Sequence, residues 1–395
     1  MKHICILGST GSIGTQALQV VDSLGDHLDV VGLAARSNVE LIEQQIREFD
    51  PDAVALADEA SADLLRTRTK GKRVKVLGGQ DGVTQVATMP EADTVLSAIV
   101  GIAGLVPTLE AIKAGKNIAL ANKESLVTAG SVVMKAAAEA DVCILPVDGE
   151  HSAILQCLMA EGRSEDIHRL ILTASGGPFR SEDVMRDFSP EQALKHPNWR
   201  MGRRITIDCA TLMNKGFEVI EARWLFNVDI PKIDVVIHPE SIVHSMVEFV
   251  DGSILAQLST ADMRLQIQLA LTYPKRRESP VPYLNLAEVG RLTFQEVDME
   301  KFPCLGYAYE AGQTGGTMPT VVNGADEVAV DAFLKRSIGF LDIPDIIRKT
   351  MDAHQPVPDP SLDDIIAADR WARDYARCLM PDFLVDSRQS TVNSQ

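Results

Sequence analysis

The sequence is short of basic residues. Its 38 Lys and Arg residues are outnumbered by 55 Asp and Glu residues, which gives a formal net charge of -17. A surface of that sign repels nucleic acid and anionic membranes, so neither is expected as a partner. An anionic substrate would have to be held by a local cluster of donors.

Cysteines and long apolar runs are also scarce. The six cysteines lie far apart, with no Cys-x-x-Cys and no Cys/His ligand spacing, so we interpret them as reduced thiols of a cytoplasmic protein. The longest apolar passage, residues 95–109, is broken by glycine and proline and falls short of the ~20 residues that a membrane helix needs. Met1 leads into "ICIL" without the basic region of a signal peptide, which agrees with a cytoplasmic location.

The chain does contain enough apolar residues for a large core. Hydrophobic residues make up 46% of the 395, which predicts a globular enzyme of two or three domains. Up to residue 148, seven short apolar runs alternate with helical patterns, and this alternation is typical of an α/β domain with a Rossmann-like parallel sheet. After residue 148 the regular alternation of apolar runs and helical patterns ends.

We predict three further segments. Residues 149–273 combine a helix at 152–160, a strand at 169–175, a long helix at 208–226 and a hairpin, and form a central α+β catalytic domain. Within it, the irregular stretch 176–203 is predicted to be a mobile loop that closes over a ligand. Residues 274–300 are a linker, and 301–395 form a small C-terminal helical domain.

A glycine-rich turn follows the first strand. "ILGSTGSIGTQAL" spaces Gly8, Gly11 and Gly14 three residues apart before a helix. Glycines allow close backbone approach, and a helix N-terminus attracts a pyrophosphate, so the context favours dinucleotide binding over a purely structural turn. The second strand ends in Arg36, Ser37 and Asn38 rather than in an acid, which favours NADPH over NADH. Alternatively, Arg36 is an ordinary surface residue.

Two carboxylates follow the seventh strand in "LPVDGEHSAI". In extended geometry Asp148 and Glu150 would point to the same side, where a divalent cation such as Mg²⁺ or Mn²⁺ could join them. The alternative is a solvated pair that caps the next helix.

The long helix offers a third carboxylate. Asn214, Glu218 and Glu221 fall within about 60° of one another on an otherwise apolar helix. Glu218 could complete a cation site, and Asn214 and Lys215 could donate to a substrate phosphate. A simple Lys215–Glu218 pair within the helix is the alternative.

Three other segments carry side chains that could contact a ligand or could equally be structural. They are Ser175 in "TASGGPFR", His196, Trp199 and Met201 in "KHPNWRMG", and Asn122, Lys123 and Glu124 in "ANKESLV".

Together these segments resemble the 1-deoxy-D-xylulose 5-phosphate reductoisomerase family. The likeness continues through "ATLMNKGFEVIEARWLF" and "IHPESIVHSMVEFVDGS" to the C-terminal helices, essentially the whole chain. It implies a homodimeric enzyme that uses NADPH and a divalent metal (Mg²⁺, Mn²⁺ or Co²⁺). The reaction would rearrange and reduce 1-deoxy-D-xylulose 5-phosphate, a phosphorylated sugar, to 2-C-methyl-D-erythritol 4-phosphate in non-mevalonate isoprenoid synthesis.

The resemblance also implies roles for individual residues. The metal ligands would be Asp148, Glu150 and Glu218, and the catalytic residues Glu150, Lys123 and His196. NADPH would contact Thr10, Gly11, Ser12, Ile13, Arg36, Ser37, Asn38, Asn122, Glu124 and Gly202. The substrate would contact Lys123, Gly149, Glu150, Ser175, His196, Trp199, Met201, Cys209, Asn214, Lys215 and Glu218.

This chain departs from the family pattern at two substrate positions. Gly149 and Cys209 stand where serine is usual, and both lack its hydroxyl; a thiol is a weaker donor. Two rival interpretations are a metal-independent NADPH oxidoreductase of the aspartate-semialdehyde or homoserine type and a catalytically silent NADPH-binding regulator.

Overall fold

The computed structural model describes residues 1–161, 164–180, 188–196 and 201–383. The chain forms two compact units, each assembled from several segments. The first comprises residues 1–171, 224–228 and 242–291, and the second comprises residues 172–223, 229–241 and 292–395. The domain boundaries expected at residues 148, 273 and 300 stay predictions. Among the described residues, none of the helices is long and apolar enough to cross a membrane.

The first unit contains the predicted parallel sheet. Its seven strands are hydrogen-bonded in the order β4-β3-β2-β1-β5-β6-β7, and every pair is parallel. The strands are β1 (Lys2–Leu7), β2 (Leu28–Ala35), β3 (Ala53–Leu56), β4 (Lys75–Gly78), β5 (Thr94–Ser97), β6 (Asn117–Leu120) and β7 (Ile144–Pro146). The helices that follow them are α1 (Ser12–Leu24), α2 (Val39–Phe49), α3 (Glu59–Arg68), α4 (Gly79–Ala87), α5 (Leu105–Lys113), α6 (Glu124–Ala140) and α7 (Gly149–Glu161). The α/β prediction is therefore confirmed.

The inner strands of the sheet are buried on both faces. Every residue of β3 and of β5 is buried, and Ile4, Ile6 and Leu96 have no exposed surface. Burial of side chains of this size stabilises a fold by roughly 1.5–3 kcal/mol each. This burial offsets the conformational entropy that is lost when the sheet forms. The carboxyl ends of its strands are therefore held in fixed positions.

A second sheet has four strands in the order β11-β10-β8-β9. These are β8 (Ile167–Ala174), β9 (Ile233–Ile237), β10 (Val243–Phe249) and β11 (Ile254–Leu258). The predicted hairpin is confirmed: β10 and β11 are antiparallel, and Gly252 takes the positive φ of 84° that their turn requires. Helix α11 (Met263–Thr272) follows, and the predicted linker holds only the short α12 (Leu286–Val289).

The single helix predicted over residues 208–226 is wrong, because the chain breaks there into two helices. In the second unit α8 (Pro190–Ala193) precedes α9 (Arg203–Ala210), and α10 (Met213–Phe226) follows after Leu212, whose φ is +59°. A left-handed conformation costs a non-glycine residue roughly 1–2 kcal/mol. Leu212 is buried with Ile237, Phe302 and Leu305, and burial of a leucine is worth at least as much. Packing therefore overrides the local helical preference.

The four predicted C-terminal helices are confirmed in the second unit. They are α13 (Pro303–Thr314), α14 (Met318–Leu334), α15 (Asp342–Ala353) and α16 (Leu362–Leu379).

A buried charge network joins three helices of the second unit. Arg204 on α9 lies 2.8 Å from Glu327 and 3.6 Å from the fully buried Asp326, both on α14, and Glu327 lies 2.8 Å from Arg373 on α16. Burial and the neighbouring carboxylate of Asp208 raise the pKa of Asp326 well above its ordinary value of 3.8, against the lowering effect of Arg204. A raised pKa favours the protonated form of Asp326, which reduces the repulsion among the acids of the network.

This proton gives a prediction for stability. The folded chain binds it more tightly than the unfolded chain, so its stabilising effect is full below pH 3.8 and declines as pH rises towards the raised pKa. Asp326→Asn mimics the neutral acid and removes this dependence. As the pH rises from 3.8 towards the raised pKa, chemical denaturation should show the free energy of unfolding of the variant gaining on that of the parent by up to ~1.4 kcal/mol per pH unit. Asp331→Asn, on the exposed face of α14, is the control and should follow the parent.

Candidate functional site

The glycine-rich turn of the first unit has the close backbone packing that the sequence predicts. Gly8 has φ +89°, and an added Cβ would lie 2.5 Å from the carbonyl oxygen of Ala98; at Gly14 it would lie 2.3 Å from that of Gly8. Helix α1 begins at Ser12, and its N-cap, Gly11, supplies no side chain to bond the first N–H groups. These N–H groups are suited to bind a pyrophosphate. Thr10 and Ile13 lie in the same turn.

The end of β2 presents polar side chains next to this turn. Arg36, Ser37 and Asn38 are all exposed directly after the strand. The Asn38 side chain accepts a hydrogen bond from the backbone N–H of Leu41 at 3.1 Å and thereby caps α2. Arg36 and Ser37 are the side chains here best suited to meet a ribose 2′-phosphate.

Asn122 and Glu124 hold the start of α6. The Asn122 amide is buried and donates to the carbonyl oxygens of Ile99 and Gly101 at 2.6 and 3.0 Å, while its Oδ1 accepts from the Ser125 N–H at 3.0 Å. Glu124 accepts from the N–H of Gly101 at 3.2 Å. The helix-capping role left open by the sequence is therefore present. The cofactor contact stays a prediction.

Asp148 and Glu150 do not lie in an extended strand, so that part of the sequence argument is wrong. Strand β7 ends at Pro146, and Gly149 is already the first residue of α7. The backbone N–H of Glu150 lies 3.4 Å from Oδ1 of Asp148, as expected of a helix start with an acidic cap. The helix thus places Glu150 in its first turn.

Lys123 and Asp148 form a buried ion pair. Nζ of Lys123 lies 2.6 Å from Oδ2 of Asp148, and both side chains are almost fully buried. Burial alone would raise the pKa of Asp148, but Lys123 and His151, whose Nδ1 lies 3.7 Å from Oδ1, together hold that pKa well below its usual range. Asp148 is therefore ionised, as a metal ligand must be.

The sequence analysis missed His151. This histidine has no exposed surface and stacks against Phe226 with ring centroids 6.4 Å apart. Its position three residues after Asp148, on the helix that Asp148 caps, was the available signal. Packing fixes its ring beside the Asp148 carboxylate.

In the second unit a tight turn begins the irregular stretch after β8. Gly176 and Gly177 have φ values of +81° and +65°, and a Cβ at Gly177 would lie 2.7 Å from the carbonyl oxygen of Cys209. The Ser175 hydroxyl accepts from the Gly177 N–H at 3.3 Å. The turn therefore packs Ser175 and the Cys209 end of α9 close together.

His196 contacts the same turn. Its Nε2 lies 3.0 Å from the Ser175 hydroxyl. Burial and the nearby positive charge of Arg180 lower the pKa of His196 to about 4. Of the other residues predicted in this segment, Met201 and Gly202 directly precede α9, and Gly202 is its N-cap. Trp199 lies outside the described residues.

Helix α10 carries the predicted donors and the third carboxylate. The Asn214 amide donates to Glu218 at 2.5 Å, and the Lys215 ammonium pairs with the same buried carboxylate. The alternative of an intrahelical Lys215–Glu218 pair is thus present. Gly216 lets the helix pack closely on α13, where an added Cβ would lie 2.3 Å from Cβ of Ala308. Both charges of the pair are buried, so removal of either partner costs several kcal/mol.

The two units supply complementary chemistry. The first has a dinucleotide turn with Arg36 beside it and an ionised carboxylate, and oxygen donors of this kind suit Mg²⁺. The second has hydroxyl, amide and ammonium donors of the kind that hold a phosphate. The class of protein that this fold and these donors define is an NADP-dependent oxidoreductase. Comparison with known proteins identifies which one.

Three family models match along the chain. One described as 1-deoxy-D-xylulose 5-phosphate reductoisomerase covers residues 4–130, and two models of reductoisomerase C-terminal domains cover residues 144–226 and 258–375. The 1-deoxy-D-xylulose 5-phosphate reductoisomerase 1 of Bacillus thuringiensis subsp. konkukian is 55% identical over 382 residues, which are 96% of this chain and 99% of that protein. The chain belongs to the 1-deoxy-D-xylulose 5-phosphate reductoisomerase family.

Further relatives agree along the whole length. The reductoisomerase of Chlorobium phaeobacteroides is 53% identical over 381 residues, 96% of this chain and 100% of that protein. The Zymomonas mobilis enzyme in complex with NADPH has a TM-score of 0.90 at 42% identity and covers 96% of this chain and 99% of that one. A reductoisomerase complex with NADPH, fosmidomycin and magnesium has a TM-score of 0.92 at 39% identity, with coverages of 96% and 98%. Because the chain belongs to this family, it is not a metal-independent oxidoreductase of the aspartate-semialdehyde or homoserine type.

The lowered pKa of His196 gives a testable prediction. A histidine whose pKa is near 4 is neutral from pH 5.5 to 8, so its ring resonances should stay constant over that range in an NMR titration. His196→Gln would identify the resonances by their loss. A chemical-shift change with a midpoint between pH 6 and 7 would contradict the burial-based argument.

Proposed function

We propose that the chain converts 1-deoxy-D-xylulose 5-phosphate into 2-C-methyl-D-erythritol 4-phosphate with NADPH and a divalent cation, in non-mevalonate isoprenoid precursor biosynthesis. The observation that carries this proposal is the buried, ionised Asp148 at the carboxyl edge of the parallel sheet. In open α/β sheets ligands bind at that edge. A metal-independent oxidoreductase or a silent regulator needs no such carboxylate.

We assign the metal to Asp148, Glu150 and Glu218. Three carboxylates are the hard oxygen donors that Mg²⁺ and Mn²⁺ prefer, and Co²⁺ can bind to the same set. Held by these carboxylates, a cation would supply Lewis-acid polarisation of the substrate ketone, and NADPH bound at the glycine-rich turn would supply a hydride. The relative solved with NADPH, fosmidomycin and magnesium supports the use of a divalent cation.

The chain's own residues orient the substrate and move its protons. Lys123 keeps Asp148 ionised and, with Glu150, is the candidate to carry protons between the substrate hydroxyls. Asn214, Lys215 and Ser175 are assigned to the substrate phosphate, whose binding energy then orients the reacting carbons.

His196, which contacts Ser175, and Cys209, whose carbonyl lies beside Gly177, complete the proposed phosphate contacts in the second unit. The neutral His196 ring would donate or accept one hydrogen bond without adding charge. Met201, and Trp199 outside the described residues, are assigned to the substrate.

The function predicts metal-dependent turnover. NADPH oxidation should require 1-deoxy-D-xylulose 5-phosphate, stop with excess EDTA and return with added Mg²⁺ or Mn²⁺. Glu150→Gln and Glu218→Gln should each lower kcat/KM at least about 100-fold, since polarisation by the metal is worth several kcal/mol.

Glu139→Gln, an exposed change on α6, is the matched control and should leave turnover intact. Because Glu218→Gln leaves Lys215 buried without its carboxylate, circular dichroism should confirm that the variant folds, and Glu150→Gln provides the independent test. Turnover that survives EDTA would exclude the metal role. Full activity in both Gln variants would exclude the three-carboxylate metal site but not the reaction itself.

We further assign NADPH to the turn residues Thr10, Gly11, Ser12 and Ile13, to Arg36, Ser37 and Asn38, and to Asn122, Glu124 and Gly202. Arg36→Ala should raise KM for NADPH about 10- to 100-fold, as expected when a charge-assisted contact worth ~1.5–3 kcal/mol is lost. KM for NADH should change little. Arg47→Ala, an exposed arginine on α2, is the control. Equal effects on both cofactors would exclude a 2′-phosphate contact.

We also propose that the chain is a homodimer of the cytoplasm, where its free cysteines stay reduced. In the first unit β11 is an edge strand, and Ile254 on it is 49% exposed. An exposed edge strand with apolar side chains can pair with another chain. Sedimentation equilibrium should give twice the 42.9 kDa chain mass, and a single-chain mass would contradict the dimer.

A further inference from the structure

A buried glutamine beside Gly149 has no role in the assignments above. Gln266 lies on α11 in the first unit and has no exposed surface. In the part of the chain that the structure describes, neither its Oε1 nor its Nε2 has a hydrogen-bond partner. A buried polar group left unsatisfied costs roughly 1–3 kcal/mol, so the amide needs a polar occupant within its reach.

The room for that occupant lies at Gly149. A Cβ built on Gly149 would fit in ordinary van der Waals contact, 3.8 Å from Nε2 of Gln266 and 3.9 Å from Nδ1 of His244, the nearest atoms outside the two flanking residues. An oxygen placed one bond farther out would come within hydrogen-bond distance of the amide. Both neighbours are polar, so the space favours a hydroxyl over a methyl group.

The position of this space relates it to the reaction. Gly149 lies between Asp148 and Glu150 and opens helix α7, whose first backbone N–H groups also point to its N-terminal side. A polyhydroxylated substrate bound at these carboxylates would bring its hydroxyls to the same place.

We propose that Gln266 is a substrate-binding residue of this chain, and that its amide hydrogen-bonds a hydroxyl of the sugar phosphate in the space beside Gly149. The proposal rests on the proposed function, because it takes Asp148 and Glu150 as the site of substrate binding. It makes the glycine at 149 and the glutamine at 266 a matched pair. The glycine leaves the room, and the glutamine supplies the hydrogen bond.

The test is a double-mutant cycle with steady-state kinetics. Gln266→Met keeps the side-chain length and removes both polar atoms, so KM for 1-deoxy-D-xylulose 5-phosphate should rise about 10-fold while KM for NADPH stays unchanged. Gly149→Ser places a hydroxyl in the space itself. In the Gly149→Ser background, Gln266→Met should change the substrate KM less than 2-fold.

Gln268→Met is the matched control. Gln268 is also buried on α11, but its Nε2 donates to the carbonyl oxygen of Arg277 at 2.9 Å. Its loss should lower the melting temperature and leave the substrate KM unchanged. If Gln266→Met behaves in the same way, the glutamine is structural and the proposal is wrong. Additive effects of Gly149→Ser and Gln266→Met on the substrate KM would also overturn it.

Turnover by the parent chain distinguishes rejection of the Gln266 proposal from failure of the proposed function. If the parent shows no metal-dependent turnover of 1-deoxy-D-xylulose 5-phosphate, the function itself is wrong. If the parent turns over normally and Gln266→Met keeps the parent KM, only the role of Gln266 is rejected.

Discussion

The ion pair between Lys123 and Asp148 is the interaction on which the carboxyl edge of the parallel sheet in the first unit depends. It joins the loop after β6 to the loop after β7, and both charges are almost fully buried at a separation of 2.6 Å. A buried charge is tolerated only when it is paired, so each partner fixes the position of the other. Asp148 is thereby kept ionised, and the pair fixes the start of α7, where Glu150, His151 and Gly149 all lie.

In the second unit, several hydrogen-bond donors come from neighbouring positions on two short helices. The chain breaks at Leu212, and the core around that residue compensates for its left-handed backbone. The break separates Cys209 on α9 from Asn214 on α10. Gly216 then lets α10 pack closely on α13, while Lys215 and Glu218 on the same helix are buried as an ion pair. The strained backbone here lies next to the side chains that we assign to the substrate.

Much of the architecture could be predicted because its signals are local and repeated. The seven strands, the hairpin at Gly252 and the four C-terminal helices each carry their own apolar period or turn residues. The two errors arose where tertiary packing overrides such signals. A continuous helical pattern ran through Leu212, and an extended backbone was assumed through Gly149, where α7 has already begun. His151 escaped notice because its function depends on what packs around it.

The sequence by itself determined the chemistry available to this protein. It supplied the glycines of the turn, the arginine in place of an acid after β2, and the carboxylates, amides and ammonium groups near the strand ends. Covalent identity and spacing are sufficient for that. Only the tertiary structure decided the charge and the hydrogen bonding of these groups. Lys123 keeps Asp148 ionised, burial keeps His196 neutral, and packing leaves the Gln266 amide beside Gly149 without a hydrogen-bond partner among the described residues. Burial and pairing bring together residues that can be more than a hundred positions apart in the chain, so no local sequence pattern encodes them.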